Sequence, residues 1–112
     1  MNDIDIAHLD TLAYERARRE IDECRLILHA HWVAFNHLGE LTIDYDEWDD
    51  IACRLDRLHD QYPTLVHYGY EAEWFYDWDT NDWNELPTTP YILQVANEMV
   101  DRRERMEGWV AA

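Results

Sequence analysis

Residues 44–63, DYDEWDDIACRLDRLHDQYP, decide the fold class. Trp48, Ile51, Ala52, Leu55, Leu58, His59 and Tyr62 recur at intervals of three and four, the repeat of one helix face. The spacing predicts a helix from near Asp46 to Tyr62, stopped by Pro63, which has no N–H to continue it. Asp44 or Asp46 can cap its start, and acids at 46, 47, 49 and 50 favour the positive end of the helix dipole.

Upstream, Asp5 to Leu38 contains neither Gly nor Pro and sets Leu9, Leu12, Ala13, Ala17, Ile21, Cys24, Leu28, Trp32, Phe35 and Leu38 at the same spacing. Gly39 stands where a left-handed residue would end this first helix. Its length is unusual for a small globule, although no residue marks a break. Downstream, Thr89 as cap and Pro90 in the first turn open a helix that buries Ile92, Val95, Ala96, Met99, Val100 and Met106, with residues 101–108, DRRERMEG, as a charged tail in water.

Between Val66 and Leu86 the pattern changes. Tyr68, Tyr70, Ala72, Trp74, Tyr76 and Trp78 alternate with Gly69, Glu71, Glu73, Phe75, Asp77 and Asp79, the period of a half-buried strand. Tyr70, Trp74 and Trp78 alone also suit a helix face, but the persistence of the alternation points to extended structure. DTND, 79–82, follows as a turn, with Trp83 and Leu86 packing the return. The expected fold is mainly α, a single domain over 1–112. An antiparallel helix pair is followed by an irregular or short β aromatic segment and a C-terminal helix.

The chain has 112 residues and a formal charge of −16, with an apolar fraction of 47% that includes six Trp and seven Tyr. That much aromatic surface separates it from disordered acidic chains. Residues 40–85 hold 14 acids against Arg54 and Arg57. Every basic residue is Arg and none is Lys, which excludes Schiff-base chemistry, a phosphate-loop lysine and a lysyl-nucleotide intermediate. The absence of Ser excludes serine nucleophiles. Direct nucleic-acid binding and adsorption to an anionic membrane both need clustered cations, so neither is expected. No apolar run reaches membrane-spanning length, and MNDIDIAHLD lacks the order of a signal peptide, so a cytoplasmic protein is expected. Cys24 and Cys53 read as small apolar residues on helix faces rather than as a disulfide.

Residues 41–66, LTIDYDEWDDIACRLDRLHDQYPTLV, resemble the N-terminal helical subdomain of bacterial NAD-dependent DNA ligases, in which a helix pair is joined by an Ile-x-Asp loop and closed by Tyr-Pro-x-Leu. The resemblance extends from about Ile21 to Val66. FYDWDTNDWNELP, 75–87, is similar to the later part of small phage proteins of that kind. It implies a site for the nicotinamide mononucleotide half of NAD. Phe35 and Asn36 fall on the family's aromatic–His pair, Asp44 falls on its loop Asp with one residue inserted, and Trp48 and Asp49 fall on its Tyr–Asp pair. The His is lost at Asn36, and the surrounding carboxylates would repel phosphate. The Lys-x-Asp-Gly motif is absent, so the resemblance implies no ligation.

Other candidate chemistry is sparse. Asp44, Asp46, Glu47, Asp49 and Asp50, and separately Asp77, Asp79 and Asp82, lack the glycine and distal Glu of a calcium loop and read as solvated turns. His29, His31 and His37 lack the four-residue spacing of a helical zinc pair. No metal, resident cofactor or catalytic residue is expected, and the chain does not read as an enzyme. The aromatic-acidic segment from Tyr68 to Trp83 either grips an Arg-rich surface or completes the core. The leading expectation is a phage-derived, non-catalytic DNA mimic of anti-restriction or anti-CRISPR type, which binds and inhibits a basic nucleic-acid-handling protein. Its partner-binding residues would be Asp44, Asp46, Glu47, Asp49, Asp50, Glu71, Glu73, Trp74, Asp77, Trp78, Asp79 and Asp82. The alternatives are an NMN- or NAD-binding module built on Phe35, Asn36, Asp44, Trp48 and Asp49, and a structural protein that forms a homodimer through Leu26, Ile27 and Val33 of the first helix.

Overall fold

The structure, a computed structural model, describes the backbone of residues 3–111 and the side chains of residues 11–105. The side chains of Leu9 and Met106, expected on buried faces, lie outside the described residues. Helix α1 spans Asp3–Val33 and runs into a π-helical turn, Ala34–Leu38. Helix α2 is Tyr45–Gln61, followed by a 3-10 turn at Pro63–His67, the single-turn α3 at Ala72–Phe75, a second 3-10 turn at Trp83–Glu85, and α4 at Pro90–Ala111.

Local chemistry accounts for three of the helix ends. Asp44 is extended at ψ 177, its carboxylate accepts from the Glu47 N–H at 2.8 Å, and its own N–H donates to the Glu47 carboxylate at 3.2 Å. This reciprocal capping box makes Asp44, not Asp46, the cap. The Thr89 hydroxyl accepts from the Ile92 N–H at 3.2 Å at the start of α4. Gly39, at φ 67, ends the first helical segment, and its N–H reaches back to the Ala34 carbonyl. That bond spans five residues rather than four, and the extra residue turns the register. Ala34 faces inward as a result, whereas Phe35, expected on the buried face, is 56% exposed.

Two clusters flank α1. Ala17, Ile21, Cys24 and Leu28 pack with Leu55 and Leu58 of α2 and with Leu65, Trp74, Phe75 and Leu86. Ala30, Val33 and Ala34 pack with Ile92 and Ala96 of α4, joined at the margin by Leu26. The surplus apolar surface proposed for a homodimer is therefore largely covered by α4, and Ile27 is half-buried. Tyr14 meets Tyr62, Arg25 meets His59 and His31 meets Trp48, so α1 and α2 run antiparallel as expected. At 1.5 Å per residue, α1 is about 46 Å long and α2 about 26 Å. Leu12, toward the start of α1, is accordingly exposed.

The middle segment departs from expectation: among the described residues there is no strand. Adjacent Trp74 and Phe75 are both buried, which a strand covered on one face cannot achieve. A strand also needs a neighbour for its backbone polar groups, and here α1 supplies side chains instead. Arg25 donates to the carbonyls of Val66 at 3.0 Å, Tyr68 at 2.7 Å and Tyr70 at 3.3 Å, while Asp22 accepts from the Tyr70 N–H at 2.8 Å. The chain folds around these two side chains. Gly69, at φ 92, lies so close to Asp22 that a Cβ there would collide with its carboxylate.

Candidate functional site

The acids expected to bind a partner divide by what holds them. Asp46, Asp49 and Asp50 on α2 are exposed, as are Glu73, Asp77 and Asp79, while Asp82, also exposed, accepts from the Asn84 N–H at 3.0 Å. Asp44 and Glu47 are also exposed but engaged in the capping box, and Glu47 lies 3.7 Å from the Arg103 guanidinium. The Glu47 N–H holds the Asp44 carboxyl below the usual carboxylate range. Glu71 is half-buried and left-handed at φ 47. Among the described residues, Arg103 on Glu47 is the one cation within ion-pair distance of any acid in residues 40–85.

The tryptophans position these acids. Trp83, half-buried, touches Trp74 at 4.7 Å between ring centroids, Trp48 at 5.5 Å, Trp78 at 6.3 Å and Trp32 at 6.4 Å. Trp78 donates its indole N–H to the Asp56 carboxylate at 3.2 Å. Through these contacts the acidic turn after α3 is laid alongside α2, and two stretches far apart in sequence form one surface. Trp74, expected to meet a partner, is instead a core residue. It is 7% exposed, edge-on to Phe75 and Trp83, with its indole N–H on the Asp82 carbonyl at 3.1 Å. Trp78 keeps only part of its ring exposed.

Residues outside the expected partner-binding set complete the face. Asp56 and Asp60 are exposed on α2, four residues apart, and Trp83 is the hub that docks the turn. The helical spacing of Asp56 and Asp60 was readable, but nothing local marked Trp83 as the hub.

Beneath this face lies a polar network that the sequence reading missed. Arg25 is 0% exposed, with its guanidinium 5.8 Å from the Phe75 ring centre and one Nη donating to His59 Nε2 at 3.1 Å. Burial lowers its proton affinity, opposed by Asp22. His59 accepts that hydrogen bond and so must be neutral at Nε2. Burial and the Arg25 charge push its pKa down to about 4. His29 donates from Nε2 to the Pro87 carbonyl at 3.1 Å, so its Nδ1 accepts from the Tyr70 hydroxyl at 2.6 Å. Burial pushes its pKa down to about 4 and raises that of Tyr70.

Among the described residues, no side-chain hydrogen bond or ring contact joins Phe35 or Asn36 to Asp44, Trp48 or Asp49, the other residues implied for a nicotinamide site. Phe35 is exposed, Asn36 donates its side-chain amide to the Trp32 carbonyl at 2.9 Å, and Asp44 caps α2. The rings on Trp48 are His31 and Trp83, and among the described residues no ring contact joins it to Phe35. An open concavity of about 680 Å³ lies on α2 along the acidic stripe, lined by Asp50, Ile51, Cys53, Arg54, Asp56 and Arg57.

Cys24 is buried, Cys53 is exposed, and both are free thiols. Among the described residues no group of three His, Cys, Asp or Glu is placed to hold a metal ion, and no helix is long and apolar enough to cross a membrane. No family model, curated protein or solved structure matches the chain.

Proposed function

We propose that this protein binds the basic surface of a nucleic-acid-handling protein and blocks it by presenting carboxylates in place of phosphates. The observation that carries this reading is the docking of the acidic turn onto α2 through Trp83–Trp48 and Trp78–Asp56. Asp46, Asp49, Asp50, Asp56 and Asp60 fall within about a third of the α2 circumference and span about 21 Å along its axis. That is one carboxylate per roughly 4 to 5 Å, close to the axial charge spacing of about 3.4 Å along one DNA strand. Arg57 shares the stripe and lowers its net charge, but the adjoining Asp77, Asp79 and Asp82 restore it. Rigid helices hold these charges without the ordering cost of a flexible tail.

The test is capture of basic nucleic-acid-binding proteins by the immobilised chain, followed by elution with salt or with duplex DNA. Capture should fall steeply between about 50 and 500 mM NaCl, and duplex DNA should displace the partner. The Asp46→Asn/Asp49→Asn/Asp50→Asn variant should lose most of the capture while keeping its helical signal. Capture that is insensitive to both salt and DNA would overturn charge mimicry. Calorimetry with NMN and NAD at millimolar concentration is the parallel control, in which this reading expects no heat.

A further inference from the structure

We infer that the exposed ring of Tyr76, flanked by Glu73 and Asp77 and backed by His67, is a docking point for arginine side chains of a partner protein and selects guanidinium over ammonium. The inference rests on the acidic-binding reading above and adds to it a named anchor and a chemical preference.

Tyr76 continues the turn of α3, with φ −59, ψ −26 and its N–H on the Ala72 carbonyl. Glu73 precedes Tyr76 by three residues, so the helical turn sets the two side by side, and Asp77 follows Tyr76 directly in the turn beyond. Tyr76 is 53% exposed, and the His67 ring lies against it at 5.8 Å with a 37° tilt. Among the described residues neither Glu73 nor Asp77 has a cation within ion-pair distance. The face is also braced from within. The neighbours of Tyr76 on the inward side, Trp74 and Phe75, are core residues, and Arg25 holds the backbone on either side of His67 through the Val66 and Tyr68 carbonyls. Tyr76 therefore meets a ligand with little left to order.

A planar guanidinium can lie on an aromatic face while its edge N–H groups reach a neighbouring carboxylate. A compact, strongly hydrated ammonium cannot do both at once. Charge alone would not separate the two cations, whereas stacking of a guanidinium plane on the ring with its edge on a carboxylate would, by roughly two- to fivefold in affinity.

The experiment is calorimetric titration of the whole chain with oligoarginine and oligolysine peptides of equal length at about 0.15 M NaCl. Oligoarginine should bind the wild-type chain more tightly by that factor. The His67→Ala/Tyr76→Ala variant should bind both peptides alike, and Tyr76→Phe should retain the preference. Asp46→Asn/Asp49→Asn/Asp50→Asn should weaken both peptides equally and leave the ratio unchanged. If the double alanine variant loses its helical signal, Tyr76→Leu replaces it with the same expected loss of preference. Equal affinities in the wild type, or a preference that survives these variants, would overturn the arginine site while leaving the electrostatic reading intact. Failure of the wild-type chain to bind either peptide would overturn both.

Discussion

Replacing Arg25 by Met tests the account of the middle segment most directly. Met matches the length of the buried stem but removes every donor. The substitution strips the hydrogen bonds from the Val66, Tyr68 and Tyr70 carbonyls and from His59 Nε2. Each partly buried acceptor left unpaired costs about 1 kcal/mol, offset in part because the desolvated charge disappears as well. The net loss should be about 3 to 4 kcal/mol, against a total stability of about 5 to 15 kcal/mol for a domain of this size. The midpoint of thermal unfolding should fall by roughly 12 to 20 °C. Urea unfolding followed by far-UV circular dichroism measures the total. Amide hydrogen exchange measures its location, with protection lost first at Tyr68 to Tyr70, while the α1–α2 pair retains it. Arg25→Lys should recover only part of the loss, since one ammonium cannot span carbonyls spread over five residues. A change below about 1 kcal/mol, or an exchange pattern unaltered at 68–70, would show that the segment is held by packing alone and that the Arg25 clamp is incidental.

Acidification should destabilise the fold through His29 and His59. Their folded pKa values of about 4 lie below the ordinary 6.5, so the unfolded chain takes up protons first. The stability these rings contribute is complete above pH 6.5 and is lost as pH falls toward 4, by up to about 3 kcal/mol for each buried neutral ring. Titration of the two imidazoles by NMR checks this, and a midpoint above 6 for either ring would refute its buried neutral state. Salt should act in the opposite sense on the whole molecule. A charge of −16, with few paired acids among the described residues, repels itself, and about 1 M NaCl, with a screening length near 3 Å, should raise the unfolding temperature by several degrees. A flat or falling unfolding temperature would mean that the acids are spaced too widely to matter. Gly69→Ala should cost more than about 2 kcal/mol, since it combines a left-handed backbone with a collision against Asp22. Glu71→Gly should be neutral to stabilising by about 1 kcal/mol, because it relieves the left-handed strain at φ 47. Urea midpoints distinguish these two outcomes.

Helix ends and buried stripes were legible because the interactions that set them are local. Asp44 caps α2 through a residue three places on, Thr89 does the same for α4, and Gly39 closes the first helical segment where a left-handed residue was expected. Ala17, Ile21, Cys24 and Leu28 lie on the stripe their spacing announces. Phe35 was misplaced because the π-helical turn at Ala34–Leu38 changes the register, and nothing in AFNHL reports it.

The sequence by itself determined a helical, acidic chain without lysine chemistry, because periodicity, capping and composition act within a few residues or need no geometry at all. Only the tertiary structure decided the course of residues 66–86 and the shape of the acidic face. Alternating aromatics read as a strand, but their backbone polar groups are satisfied by Arg25 and Asp22, more than forty positions upstream. Arg25 has the same side chain as its solvated counterparts, and only burial makes it a clamp. The acids of α2 and of the turn after α3 become neighbours because Trp83 packs on Trp48, a contact between residues 35 positions apart. Such pairings depend on which surfaces remain uncovered after the helices have packed, and local spacing carries no record of that.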